Sequence, residues 1–145
     1  MKFLLDTCVV SELAKPRPDP RVVEWIDSVE DERLFLSVVT VGEFQAGVEK
    51  LSDARRKAAI QSWLDDELLP RFKDNILSVD AGVMRVWGHL TARLEKHGRP
   101  MPAMDALLAA TALHADASFV TRNVEDFKNT GVNLLNPWDI SGPVR

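Results

Sequence analysis

The sequence contains one cysteine, Cys8. A single thiol excludes an intrachain disulfide and any zinc cluster built on cysteines. No apolar run is long enough to span a bilayer. Met1-Lys2 is followed by only three apolar residues before Asp6, far too few for a signal peptide. These absences lead to the expectation of a cytoplasmic protein without a membrane partner. There is also no excess of basic charge. Lys and Arg number 18 against 22 Asp and Glu, giving a net charge of -4. A nucleic acid, if bound, would need a local basic rim or a metal to offset phosphate repulsion. An acidic balance suits a site that gathers carboxylates around a cation. No internal repeat or linker-like stretch divides the chain.

What is present is enough for one globular domain. Of 145 residues, 46% are hydrophobic. That length and composition supply a full core. Short apolar runs recur at Phe3-Leu4-Leu5, Leu34 to Val38, Ile76 to Val79, Ser118 to Thr121 and Val132 to Leu135. They are continuous rather than alternating, as in strands covered on both faces. Helical patterns separate them. Cys8 to Lys15 reads as a short helix stopped by Pro16 and Pro18. Asp19-Pro20 has the form of a helix cap and first position. Thr40-Val41-Gly42-Glu43 reads as a helix start. A long helix is expected from Asp53 to Leu69, closed by Pro70. Asp80 caps a helix carrying Val83, Val86, Trp87, Leu90 and Leu94, and Pro102 opens another that reaches Ala115. Strands alternating with helices predict an α/β domain of three layers, α/β/α, with a mostly parallel central sheet. Residues 1–140 form the expected domain and 141–145 a loose tail.

Parallel α/β sheets bind ligands beyond the carboxyl ends of their strands. Asp6 follows the first strand, and Asn123 and Asp126 follow the fourth. Glu43 and Asp105 each fall near a helix start beside apolar residues. Asp105 shares a helical face with Leu108, Ala109 and Ala112, where an uncompensated acid is costly. Each acid also has an ordinary reading. Glu43 stands at capping-box spacing from Thr40. Asp105 could complement a helix dipole, Asp6 could be a turn residue, and Asp126 could bond backbone N–H groups. Together they bring several carboxylates to one sheet edge. Oxygen-only ligands of this kind suit Mg²⁺ or Mn²⁺.

The order Leu5-Asp6-Thr7, Thr40-x-x-Glu43, Asp105 at a helix start, and Thr121-Arg122-Asn123-x-x-Asp126-Phe127 resembles the acidic signature of PIN domains. Ser11-Glu12-Leu13, Val41-Gly42-Glu43, Ala109-Ala110-Thr111-Ala112 and Asn136-Pro137-Trp138 are similar to the VapC branch of that family. The resemblance implies a metal-dependent endoribonuclease toxin using Mg²⁺, with Mn²⁺ possible. It implies metal ligation by Asp6, Glu43 and Asp105, with Asn123 and Asp126 as further site residues. It also implies an RNA substrate, a homodimer, and a VapB-type antitoxin through which any DNA contact is made. Two positions depart from many relatives. Cys8 replaces an Asn, and a small Cys packs as a hydrophobe. Asn123 replaces an acid and brings no charge, which weakens the case for a second metal. Other readings remain at this stage. One is a PIN scaffold that binds without turnover. The other is Asp-based phosphoryl transfer through Asp6, for which Cys8 stands where a second Asp is usual. Arg17, Arg71, Lys73, Arg99 and Arg122 are candidate rim residues. His89, His97 and His114 read as structural or solvent-facing, and the four tryptophans as core or interface.

Overall fold

The structure, a computed structural model, describes residues 1–140; the expected tail lies outside them. The expected strands form as β1 (Lys2–Leu5), β2 (Leu34–Ser37), β3 (Ile76–Leu77), β4 (Ala117–Val120) and β5 (Leu134–Leu135). They make one sheet in the order β3-β2-β1-β4-β5, and every pairing is parallel. β1 is central, in register with both neighbours: Leu4 lies opposite Phe35 on one side and Phe119 on the other.

Side-chain alternation along β1 explains why its run is continuously apolar. Phe3 and Leu5 enter one core, and Leu4 enters the other. The first core is covered by α1 (Thr7–Leu13), α2 (Pro20–Ser28), α3 (Val38–Glu49), α4 (Ala54–Trp63) and α5 (Leu69–Phe72). Trp25 from α2 meets Phe3 edge-on, with ring centroids 5.1 Å apart. Trp138 is also buried in this core, as expected of a structural tryptophan. The second core is covered by α6 (Ala81–Lys96), α7 (Ala103–His114) and α8 (Val124–Phe127). Leu90, Leu94, Leu108, Ala109, Ala112 and Phe127 face the sheet there. The result is the three-layer α/β/α arrangement.

The caps at Asp19 and Asp80 form as the sequence predicts: Asp19 accepts from the Arg21 N–H and Asp80 from the Val83 N–H. α6 and α7 approach closely at Gly82, where a Cβ would fall 2.5 Å from His114 Cε1. His114 is the last residue of α7, at the helix end where the sequence puts it.

Three local expectations are corrected. The helix expected to open at Thr40 begins at Val38, because Ser37 caps it by accepting from the Val39 N–H at 3.0 Å. Glu43 is therefore in the second turn and serves no capping box. The helix expected to end at Pro70 instead widens into a π-helical turn at Leu64–Leu68 and continues through Pro70 as α5. Widening the turn just before a proline accommodates its ring and its missing N–H. Of the segment Arg122 to Asp126, expected as a loop, Arg122 and Asn123 remain outside any helix, while Val124 to Asp126 wind into α8, where Phe127 packs on Phe119 at 4.7 Å between centroids.

Candidate active site

The sheet order creates a switch point. From β1 the chain moves to β2 on one side, and β4 returns to the other, leaving a crevice past the carboxyl ends of β1 and β4. Asp6 sits in it. Its backbone N–H still pairs with the Val120 carbonyl at 2.9 Å, extending the β1–β4 ladder. Its carboxylate is 6% exposed yet well partnered. Oδ1 accepts from the Thr7 N–H at 2.7 Å and starts α1. Oδ2 accepts from the Thr121 hydroxyl at 2.7 Å, and the Cys8 thiol lies 3.5 Å away. The Asn123 N–H donates to Thr121 Oγ at 3.0 Å, fixing that hydroxyl toward Asp6.

Glu43 reaches the same crevice from α3. Its Oε1 accepts from the Thr7 hydroxyl at 2.7 Å. The buried Thr40 hydroxyl is 3.2 Å from that of Thr7. Thr7 has one hydroxyl hydrogen and a carboxylate can only accept, so Thr40 supplies the hydrogen of the second contact. Thr7, Thr40 and Thr121 thus form a hydroxyl framework around two carboxylates. The motifs contain these threonines, but nothing in them assigns a partner to any one.

Asp105, in the first turn of α7, completes the group. Its pKa is raised, first by burial and then by the charges of Asp6, Glu43 and Asp126. Those three acids are therefore near enough to repel it. None of the four joins an ion pair among the described residues. Nor do any three His, Cys, Asp or Glu side chains among the described residues close tightly enough to hold an ion on their own. The acids share one electrostatic neighbourhood without forming a finished cage. Their chemistry, all oxygen and all anionic, is that of ligands for a hard divalent cation. Asn123 caps α8 without a side-chain bond, and exposed Asp126 acts on Asp105 through its charge.

Cys8 is more than a hydrophobe here. Burial pushes its pKa to about 11, and the Asp6 charge adds to the effect. The thiol is therefore protonated at neutral pH. Alkylation by iodoacetamide at pH 7.5 is expected to be far slower than for a free thiol, since thiolate is the reactive form. Modification as fast as free cysteine would contradict this protonated state.

The surroundings are mixed. A cleft of about 210 Å³ opens beside Glu43, with Thr7, Ser11, Lys15, Phe44 and Arg56 among its walls. Of the candidate rim residues, Arg71 pairs with Asp31 at 3.0 Å and Arg122 stacks on the Trp138 ring at 4.9 Å. No helix among the described residues is long and apolar enough to cross a membrane.

The PIN domain matches residues 3–133. The toxin FitB of Neisseria gonorrhoeae is 36% identical over 136 residues, which is 94% of this chain and 98% of the relative. The crystal structure of FitAcB from that organism superposes with a TM-score of 0.90 at 35% identity, covering 95% of this chain and 99% of the other. The VapC ribonuclease Y4jK of Sinorhizobium fredii is 34% identical, over 94% of this chain and 98% of the relative. VapBC2 of Rickettsia felis, solved with a DNA fragment from its promoter, superposes with a TM-score of 0.81 at 27% identity, covering 94% and 98% of the two chains. With that domain matched over residues 3–133 and relatives above 30% identity across nearly the whole chain, this chain belongs to the PIN-domain family.

Proposed function

We propose that this chain is a Mg²⁺- or Mn²⁺-dependent endoribonuclease and the toxin of a VapBC-type toxin–antitoxin pair. The observation that carries the reading is Asp105: an acid raised in pKa by partial burial and by three neighbouring acids, with no ion-pair partner among the described residues. Stability alone does not favour such a cluster. Asp6, Glu43 and Asp105 would hold the ion, which when bound supplies charge neutralisation at the phosphate and an acidified water. Thr121 and Thr7 hold Asp6 and Glu43 in fixed orientations, each by one hydroxyl at 2.7 Å. Asn123 and Asp126 flank the site at α8, Asn123 without charge and Asp126 by raising the negative potential at Asp105. No histidine or serine nucleophile is required.

The ribonuclease reading is supported by Y4jK and FitB, whose names describe a ribonuclease and a toxin at above 30% identity across nearly the whole chain. The partner reading is supported by the VapBC2 complex on promoter DNA. By that analogy the partner is a small antitoxin. A basic side chain from it would pair with Asp6 or Asp105, and DNA contacts would belong to it. The chain itself would act as a homodimer in the cytoplasm.

Incubation of a structured RNA with the purified protein tests the reaction. Cleavage is expected with Mg²⁺ or Mn²⁺ and is expected to stop in EDTA. Equal cleavage in EDTA would refute metal dependence. Intact RNA under all conditions, with RNA still bound, would leave a binding scaffold as the better reading.

A further inference from the structure

Beyond Asp126 the fold builds a cluster of the opposite sign. Arg93, Leu94, His97, Arg99 and Asn129 line a cleft of about 330 Å³, and no carboxylate lines it. The end of α6 shapes one wall. Gly98 takes φ +69°, the left-handed conformation that terminates helices. Its N–H bonds the Glu95 carbonyl at 3.0 Å, and the Arg99 N–H reaches back to the Leu94 carbonyl at 2.8 Å. This pair is a Schellman turn, and it folds Arg99 back toward Arg93. The segment after α8 forms the other wall. Arg93 donates to the carbonyls of Asn129 and Thr130 at 3.1 and 3.2 Å, and Arg99 donates to Asn129 Oδ1 at 2.8 Å. His97 Nδ1 lies 2.8 Å from the Arg93 carbonyl. That oxygen can only accept, so Nδ1 carries the hydrogen and Nε2 is left open.

The donors exceed their partners. A guanidinium has five N–H groups. Arg93 uses two on carbonyls and Arg99 uses one on an amide oxygen. Neither forms an ion pair among the described residues. Cations do complement a helix C-terminus. That effect explains Arg93, in the last turn, but not Arg99, which lies past the Schellman turn and is tethered to Asn129. The chain as a whole is acidic, so a carboxylate-free basic cleft is a local departure. In sequence its residues flank two of the acids, Asp105 and Asp126. Arg99 is six positions before Asp105, and Asn129 is three positions after Asp126.

We propose that this cleft is a phosphate-binding subsite that holds the backbone of the RNA strand to one side of the scissile bond. The choice of RNA rests on the ribonuclease reading above. Apart from the His97 ring no aromatic group lines the cleft, so it grips sugar–phosphate and does not read bases. It also answers the repulsion that an acidic chain presents to RNA.

Anisotropy of a short fluorescein-labelled single-stranded RNA, measured in EDTA over a salt series, tests this without cleavage. Arg99→Ala is expected to weaken binding about tenfold and to lower the salt slope by about one. Arg99→Lys should restore most of the slope. Arg85→Ala, toward the opposite end of α6, should change neither. In cleavage assays with Mn²⁺, Arg99→Ala should raise KM and leave kcat within about twofold. The proposal is overturned if Arg99→Ala matches wild type or Arg85→Ala, if it lowers only the melting temperature, or if the wild type does not bind RNA. It is also overturned if Arg99→Ala weakens a protein or DNA complex but not RNA binding. A protein that binds RNA through Arg99 yet never cuts it would sink the nuclease reading alone. One that cuts RNA and ignores Arg99 would sink the subsite alone.

Discussion

Asp105→Asn is expected to reduce RNA cleavage about a thousandfold or more, while the metal-free protein melts at the same temperature as wild type or higher. The first effect follows from removing one of three carboxylates proposed to hold the ion; a thousandfold is about 4 kcal/mol of barrier. The second follows from the raised pKa of Asp105. A group whose folded pKa is raised contributes stability that is present below its unfolded value and is lost as pH rises through the folded value. Without metal, ionised Asp105 therefore strains the fold at neutral pH, and an amide of the same shape relieves it. An acid in a first helical turn gains from the dipole, but the net shift is upward, so burial and repulsion outweigh that gain. The advantage of the variant in EDTA should grow as pH rises from about 4 toward 7. Thermal melts across that range, paired with cleavage in Mn²⁺, provide the check. Cleavage within about tenfold of wild type, or a variant less stable in EDTA at pH 7, would remove Asp105 from the proposed role.

Thr7→Val is expected to lower cleavage by about ten- to a hundredfold, with a matching loss of apparent Mn²⁺ affinity. Valine keeps the shape but removes the hydroxyl that meets Glu43 at 2.7 Å. It also leaves the buried Thr40 hydroxyl without its partner, at a cost of about 1–3 kcal/mol. This variant should thus lose activity and stability together, unlike Asp105→Asn. Thr7→Ser keeps the hydroxyl and should recover most of both. If Thr7→Val binds Mn²⁺ as wild type does and only melts earlier, the hydroxyl is structural and does not position Glu43.

The carboxyl-end acids were legible because the strands announce themselves. An apolar run that ends in Asp6, between two cores, leaves little doubt about where that residue points. Glu43 was harder to read. Ser37-Val38 continues the apolar run of β2, so the helix start hides inside what reads as strand, and a false cap appears at Thr40. Pro70 misled for a similar reason: the π-helical turn that accommodates it has no signature in the residues. The threonine framework, and the cleft around Arg99 as opposed to Arg99 itself, have no local signature for a different cause. Thr7 meets Glu43 across 36 positions, Thr121 meets Asp6 across 115, and Arg93 meets Asn129 across 36. Such contacts depend on the assembled layers, not on local pattern.

β1 precedes the other four strands in sequence yet lies in the middle of the sheet, so the order of synthesis bears on when the crevice forms. Asp6 leaves the ribosome well before the hydroxyl that orients it, which follows 115 positions later at the end of the strand beside β1. At about 5–20 residues per second, β1 waits roughly 6 to 23 seconds for β4. Throughout that interval a nascent chain can pair β1 with β2 yet cannot form the crevice. A nascent chain therefore cannot assemble the crevice until nearly all of these strands have emerged, and a chain that stops before Thr121 lacks both the strand beside β1 and the hydroxyl that orients Asp6.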